Sequence, residues 1–230
     1  MTGTRSFVDL HVHTRSSFDS LAAPEDVVRV AAHRGLTHLA ITDHDRIDGA
    51  LRARDAAPAG LTVLIGEEVK TAAGDLIAVF LEKPIPPGRP VGETVAMIRE
   101  QGGLVGIPHP FDRLRNSIAR SEELTALVGL VNWIEGYNAR LLRGSGNEQA
   151  ATFGHEHGIP TVAVSDAHTT LEVGVAYVAL DGDPSTPAGL LAALPTAEMI
   201  VGRATYAVRL VTPLAKTVHR LRGNRRVVPG

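Results

Sequence analysis

Short apolar segments alternate with amphipathic ones along most of this 230-residue chain. The apolar segments have the length of strands, and the segments between them repeat apolar residues at the spacing of a helix face. Strands are predicted at Val8–Val12, Leu36–Ile41, Leu61–Ile65, Leu76–Leu81, Leu104–Ile107, Leu130–Ile134, Thr161–Val164 and Ala176–Leu180. Helices are predicted from Pro24 to a stop at Gly35, and at Asp48–Ala57, Val91–Gln101, Glu122–Leu127, Gly146–His157 and Pro187–Leu194. Repeated strand–helix units of this length indicate an α/β fold with a parallel sheet covered by helices.

Composition narrows the class of protein. With 44% hydrophobic residues and no linker or low-complexity block, the chain is long enough for one sizeable core. Its formal net charge of −2 gives no general attraction to nucleic acid or to an anionic membrane. The chain has neither an apolar signal segment nor a long apolar run, so a cytoplasmic protein without a membrane partner is expected.

Two histidines stand one residue apart at the end of the first predicted strand, in Asp9-Leu10-His11-Val12-His13. Because side chains alternate along a strand, His11 and His13 are expected to lie on one face, close enough to share a metal ion. Asp9 belongs to the same face and is expected to accept the other ring N–H of one histidine. The chain has no cysteine, so any metal must be held by His, Asp and Glu.

Further histidines and acidic residues follow the other predicted strands. The set at strand ends comprises His11, His13, Asp43, His44, Glu68, His109, Glu135, Asp166 and His168. In a barrel of parallel strands these ends meet at one mouth, where loops gather and the active site lies. The pattern therefore predicts a metal site of imidazoles and carboxylates at the mouth of a barrel.

Several motifs give the chain a resemblance to a known family. They are Asp9-x-His11-x-His13-Thr14, Thr42-Asp43-His44-Asp45, Gly66-x-Glu68, Pro108-His109-Pro110 and Ser165-Asp166-Ala167-His168. Over residues 7–180 the chain resembles the polymerase and histidinol phosphatase (PHP) family. The resemblance implies a distorted (β/α)7 TIM-like barrel that forms a single domain over residues 1–230, with residues 181–230 as a C-terminal extension packed on the barrel. It also implies two or three divalent metal ions per chain, which would be Zn, Mn or Fe.

The resemblance further implies which residues hold the ions. The first ion would be bound by His11, His13, Glu68 and Asp166, the second by Glu68 and His109, and the third by Asp19, His44 and His168. Glu67 is expected on the opposite strand face from Glu68 because neighbouring side chains alternate. Many family members carry a histidine after this glutamate as a second ligand of the second ion, and here Ala78 stands at the expected position. The second ion is therefore expected to be weakly held, completed by another group such as Asn138 or water, or absent.

Other polar residues are expected to serve catalysis or substrate binding. The candidates for relaying protons are Asp43, Asp166 and His168. The preferred candidates for contacting the substrate are Arg113, Asn138 and Arg140, ahead of Arg15, Lys70, Arg115 and Arg143. For Glu135 two alternatives stay open: it lies near the metals, or it forms an ion pair below the barrel mouth. The basic residues of the C-terminal tail are expected to form a solvated helix face.

The function that these expectations favour is that of a metal-dependent phosphoesterase. The resemblance implies hydrolysis of small phosphate monoesters, nucleotides or short oligonucleotides by a metal-activated water. Two alternatives stay open, namely an amidohydrolase-type enzyme acting on a C–N bond and a non-catalytic or weakly active metal-binding regulatory module. The first would place a carbamylated lysine or a histidine where Glu68 stands, and the second is favoured by Ala78. The expected partner is a phosphorylated small molecule or nucleotide, and the sequence indicates no particular protein partner.

Overall fold

A computed structural model describes residues 4–112, 115, 117–118, 123–141, 145–203, 205, 208, 211–224 and 226. The strands are Arg5–Val12 (β1), His38–Ile41 (β2), Thr62–Lys70 (β3), Asp75–Val79 (β4), Leu104–Ile107 (β5), Trp133–Asn138 (β6), Thr161–Val164 (β7), Tyr177–Asp181 (β8) and Glu198–Ile200 (β9). The helices are Pro24–His33 (α1), Asp48–Ala56 (α2), Val91–Glu100 (α3), Glu123–Ala126 (α4), Ser145–Glu156 (α5), Pro187–Ala193 (α6) and Val211–Leu221 (α7). None of the helices within the described residues is both long and apolar enough to cross a bilayer.

The strands form one sheet in the order β7-β6-β5-β4-β3-β2-β1-β8-β9, which curls into a nearly closed barrel. Parallel pairs join β1 to β2, β2 to β3, β5 to β6 and β6 to β7. At the mouth the segment after β7 returns to β1, where the N–H of His13 donates to the carbonyl of Ala167 over 2.8 Å. Helices cover the outside of the sheet. The predicted distorted (β/α)7 TIM-like barrel is thus confirmed.

The prediction of a parallel sheet is wrong at β4, which runs antiparallel to both β3 and β5, and at β8, which runs antiparallel to β1 and β9. Only a short turn joins β3 to β4, and its ends are held because the Thr71 hydroxyl donates to the carbonyl of Gly74 over 2.6 Å. A connection this short can join only antiparallel strands, because a parallel crossover needs a dozen residues or more. The reversed strand is one source of the barrel's distortion.

Strand boundaries differ most where polar residues enter the strands. Strand β6 begins at Trp133 and ends at Asn138, whereas the apolar run predicts Leu130–Ile134. Strand β3 likewise continues to Lys70, so Glu68 and Glu135 lie within strands rather than after them. Hydrogen bonds to neighbouring strands extend both elements past the end of the hydrophobic pattern. The hydrophobic pattern predicts no strand at β9, and for α7 it predicts only a solvated helix face without bounds.

The barrel interior is packed with side chains from all the strands around it. Trp133 of β6 is fully buried there among Leu10, Ile77 and Leu104. Its indole lies over Gly106 of β5, the residue directly opposite it in the parallel pair. Any Cβ at position 106 would collide with the indole ring. A glycine is therefore required there for the largest interior side chain to fit.

We predict that Gly106→Ala lowers the free energy of unfolding by about 1–3 kcal/mol, because the added methyl forces Trp133 out of its packed position. Gly92→Ala is the matched control, since a Cβ at Gly92 in α3 has no neighbour within 4 Å. The control should be neutral or stabilise the protein by up to about 1 kcal/mol through its higher helix propensity. Urea denaturation measures both variants, and equal stability of the two would contradict this account of the packing.

Candidate metal centre

Four buried donor side chains meet where β1, β3 and the segment after β7 reach the barrel mouth. Strand alternation turns both imidazoles of His11 and His13 to one face, and their Nε2 atoms are 2.9 Å apart. Oε2 of Glu68 lies 3.4 Å from each of these nitrogens. Oδ1 of Asp166 lies 3.7 Å from Nε2 of His11 and 3.6 Å from Nε2 of His13. The structure thus brings together all the residues predicted for the first ion.

The geometry of this group suits a small divalent ion. Donor atoms that share a tetrahedral ion at about 2.1 Å lie about 3.4 Å from one another. The distances among the four donors cluster around that value. Oδ1 of Asp166 is buried and has no hydrogen-bond partner among the described residues, although it faces the two imidazoles. A cation between these atoms would satisfy it.

Glu68 connects this group to the residue predicted for the second ion. Its other oxygen, Oε1, lies 3.2 Å from Nε2 of His109. The backbone of His109 has a φ of 27° and that of Asp166 a φ of 52°, both on the left-handed side that residues other than glycine rarely adopt. Such conformations concentrate at functional sites, where the surrounding structure holds them against their cost. His109 and Asp166 are both ligand candidates, so these conformations occur at two of the turns that carry such residues.

The residues predicted for the third ion form an adjoining group. Oδ2 of Asp19 lies 3.2 Å from Nε2 of His44 and 3.2 Å from Nε2 of His168. The other ring nitrogen of His44, Nδ1, lies 3.2 Å from Oε2 of Glu68. His13 also lies close enough to Asp19 and His168 for one ion to contact all three. The donor groups are therefore continuous rather than separate.

The electrostatics of the site keep its carboxylates charged. Burial alone would raise the pKa of Asp166, but Arg115 and His11 outweigh it and hold that pKa well below the usual range. The same balance, with His168 and His44 as the counter-charges, lowers the pKa of Asp19. Burial lowers the pKa of His13 to about 3, with neighbouring histidines adding to the effect. Ionised carboxylates and a neutral imidazole are the forms that bind metal.

Glu135 and Asn138 form hydrogen bonds that orient the ligand candidates His11, His109 and Asp166. Nδ1 of His11 donates to Oε1 of Glu135 over 2.6 Å, which turns Nε2 toward the centre of the site. The other oxygen of Glu135 accepts from the backbone N–H of His109 and from the Asn138 amide, at 2.9 and 2.8 Å. The same amide group donates to Oδ2 of Asp166 over 3.0 Å. Glu135 thus lies beside the metal centre and not in an ion pair below the mouth.

The expectation that Asp9 orients a histidine ring is wrong. Its carboxylate accepts backbone N–H groups instead, from His11 at 3.4 Å, Ser165 at 3.1 Å and Gly174 at 3.2 Å. Asp9 lies deeper along β1 than His11, so its short side chain reaches the adjoining backbone and not the ring. The longer Glu135, which comes from a different strand, reaches the ring.

The expectation that Ala78 replaces a ligand of the second ion is also wrong. In the antiparallel β3–β4 pair, Ala78 lies opposite Glu67, and Ile77 lies opposite Glu68. Residues directly opposite share a sheet face, so Ala78 lies on the face away from the metal centre and does not replace a ligand. The site-facing residue nearest the mouth is Asp75, at the start of β4, whose side chain lines the cavity. Glu67 points away as predicted and accepts the N–H of Ile85 over 2.6 Å.

Six of the donor residues line a cavity of about 270 Å³, namely Asp19, His44, Glu68, His109, Asp166 and His168. Arg140 reaches its wall but is engaged with Glu172, which lies 2.9 Å from its Nη1, and with the Thr212 hydroxyl. Asn138 is buried and uses its amide on Glu135 and Asp166. Arg115 contacts Asp166 at the same wall. Arg113 and Arg143 lie outside the described residues, so the substrate-binding roles stay predictions.

Asp43 lies behind the cavity and not at its surface. Both of its oxygens accept hydrogen bonds from Thr14, from the backbone N–H at 2.6 Å and from the hydroxyl at 2.7 Å. Burial raises its pKa to about 6. These contacts fix the loop that follows His13.

Sequence reasoning missed several residues that line the cavity. They are Phe18, Asp75, Thr212, Lys216 and Arg226. Strand alternation from Glu68 through the hairpin could have identified Asp75. No local signal indicates that residues 212, 216 and 226 return to the barrel mouth, because their contacts join segments far apart in sequence.

A barrel whose mouth gathers buried imidazoles and carboxylates in this spacing defines a metal-binding α/β protein of the TIM-like class. Comparison with known families agrees and is more specific. The PHP domain model matches residues 9–143, and the PHP-associated model matches residues 144–198. The chain therefore belongs to the PHP family.

Two uncharacterized proteins of the archaeon Methanocaldococcus jannaschii are similar in sequence. One is 38% identical over 114 residues, which are 45% of this chain and 67% of that protein. The other is 32% identical over 174 residues, 74% of this chain and 69% of that protein. A solved structure of similar fold is a two-domain protein from Bacteroides vulgatus that contains a predicted PHP-like metal-dependent phosphoesterase. Its TM-score is 0.74 at 19% identity, covering 87% of this chain and 66% of that one.

We predict that Glu135→Gln weakens metal binding by about 10- to 100-fold, because the neutral amide no longer polarises and orients the His11 ring. Metal content after dialysis against a series of free-metal concentrations measures the effect. Glu198→Gln, which changes an exposed carboxylate, is the control and should bind metal like the wild type. Wild-type affinity in Glu135→Gln would show that the contact has no role in metal binding.

Proposed function

We propose that this protein is a metal-dependent phosphoesterase that hydrolyses small phosphate monoesters, nucleotides or short oligonucleotides. The observation that carries the proposal is the continuous set of buried donors from His11 to His168 around one cavity that also holds basic side chains. We further propose two or three ions per chain, of Zn, Mn or Fe. The nitrogen and oxygen donors and the absence of cysteine fit these ions.

When bound at such donors, divalent ions lower the pKa of a water molecule and neutralise charge on phosphoryl oxygens. We propose that His11, His13, Glu68 and Asp166 hold the first ion, Glu68 and His109 the second, and Asp19, His44 and His168 the third. Glu68 suits a bridging position because its two oxygens face different histidines. The tight spacing of the donors supports this assignment.

The side chains beside the donors are proposed to handle protons and the phosphoryl group. Asp166 and His168 lie 3.5 Å apart, between Oδ1 and Nδ1, and are the candidates for passing a proton to and from the reacting oxygens. Arg115 is placed to meet a phosphoryl oxygen from the Asp166 side. Asp43 is engaged with Thr14, so we propose that it positions the loop and does not relay a proton.

An amidohydrolase-type reaction is less consistent with this site. That chemistry would use a carbamylated lysine or another histidine where Glu68 stands, between His13 and His109. The basic side chains at the cavity wall suit an anionic substrate. Only hydrolysis of a substrate by the metal-loaded protein would exclude a non-catalytic metal-binding module, so an activity assay is the deciding measurement.

We predict that chelation abolishes hydrolysis of p-nitrophenyl phosphate and of bis-p-nitrophenyl phosphate, and that Mn or Zn restores it whereas Mg alone does not. His11→Ala should remove the activity because it deletes a central donor. His33→Ala, at an exposed histidine of α1, is the control and should retain full activity. Unchanged turnover after verified metal removal would refute the proposed function, and metal binding without turnover on any ester would favour the regulatory alternative.

A screen of phosphorylated metabolites and short oligonucleotides against the Mn-loaded protein separates the substrate classes. We expect esters of terminal phosphate groups to be preferred over internal phosphodiesters. An internal phosphodiester carries a nucleoside on each side, and a cavity of about 270 Å³ leaves little room for a second one. Initial rates at a fixed substrate concentration give the ranking. Preferential cleavage inside oligonucleotides would contradict this expectation.

A further inference from the structure

Four basic side chains line the metal cavity, and three of them face carboxylates. Arg115 is paired with Asp166, and Arg140 with Glu172. Arg226 is paired with Asp75, with 2.6 Å between Nη2 and Oδ1, and also with Asp45. Lys216 differs, because it pairs with no carboxylate of the described chain and its side chain is exposed. It is the basic group of the described cavity wall whose charge is not already neutralised by an ion pair.

Lys216 is nevertheless held in place. Its Nζ lies 5.4 Å from the centroid of the Phe18 ring, over the ring face, where the attraction between a cation and an aromatic ring orients it. The Phe18 ring in turn packs against the imidazole of His44, with 4.9 Å between ring centroids. Lys216 thus lines the same cavity as Asp19, His44 and His168 of the third donor group.

Helix α7, which carries Lys216, is fixed to the barrel mouth on both sides of this residue. Nε2 of the buried His219 donates to the carbonyl of Ser20 over 2.7 Å. The Thr212 hydroxyl accepts a hydrogen bond from Arg140 over 2.8 Å. Lys216 therefore lies at the cavity on a helix that is fixed to the barrel, and its side chain is on the solvent-exposed helix face expected from the sequence.

The charge of the cavity favours an anion at this position. Four carboxylates and four basic groups line it, and three of the basic groups are also paired with the further carboxylates Asp45, Asp112 and Glu172. Divalent ions held by the donors would add positive charge to this wall. A substrate phosphate would bring negative charge beside them, and Lys216 is the basic group of the described wall free to contact it.

We propose that Lys216 forms an anion subsite at the rim of the metal cavity, which binds the phosphate oxygens of the substrate. This inference rests on the proposed phosphoesterase function and adds to it a substrate-binding residue from the C-terminal segment. The subsite acts in binding and not in the chemical step. Its loss should therefore raise KM while leaving kcat nearly unchanged.

The test compares Lys216→Gln, Lys216→Arg and Arg220→Gln in the full-length, Mn-loaded protein. Arg220 is the control because it lies one turn further along α7, is exposed and does not line the cavity. We expect Lys216→Gln to raise KM for p-nitrophenyl phosphate and Kd for inorganic phosphate roughly tenfold, the usual worth of one charge-assisted hydrogen bond. Lys216→Arg and Arg220→Gln should stay close to the wild type, and metal content should be equal in all variants.

The outcomes separate this inference from the proposed function. Wild-type KM and phosphate affinity in Lys216→Gln would overturn the subsite, whether or not the enzyme is active. A fall in kcat or metal content with unchanged phosphate affinity would also overturn it, because Lys216 would then support the metal centre. If the wild type hydrolyses no ester but calorimetry still shows weaker phosphate binding by Lys216→Gln, the subsite stands and the proposed function fails.

Discussion

The burial of like charges at the barrel mouth is the constraint on which the rest of this structure depends. Asp19, Glu68 and Asp166 are almost completely removed from water. An ionised carboxylate in such a place costs several kcal/mol unless cations or hydrogen-bond donors compensate it. His44 and Arg115 do so in part: the ring nitrogens of His44 lie 3.2 Å from oxygens of Asp19 and Glu68, and Arg115 contacts Asp166. Cations close by would compensate the charge that these groups leave unbalanced.

The supporting residues follow from this constraint. Glu135 touches the centre only through His11 and the backbone of His109, yet it fixes the direction in which both present their nitrogens. The strained turns at His109 and Asp166 have the same effect on the backbone. Rigid support of this kind holds donors at ion-binding distance before an ion arrives, which reduces the reorganisation that binding requires.

Local periodicity explains the part of the site that the sequence could predict. Alternation alone placed His11 and His13 together and separated Glu68 from Glu67. It could not decide the face of Ala78 or the place of Glu135, because the face that a residue occupies there depends on pairing between strands. The reversed direction of β4 and the late start of β6 are set by such pairing. The position of helix α7 could not be predicted either. It depends on contacts between residues far apart in sequence, such as that between His219 and Ser20.

The reversed strand β4 has a consequence for how such a barrel can change. Its neighbours reach the mouth with their last residues, but β4 begins there, so the hairpin tip between Lys70 and Asp75 lies at the mouth itself. Residues inserted at this tip would extend outward from the rim without altering the number of strands in the barrel. Insertions in this hairpin can therefore change the shape of the cavity entrance without changing the barrel or the donor groups.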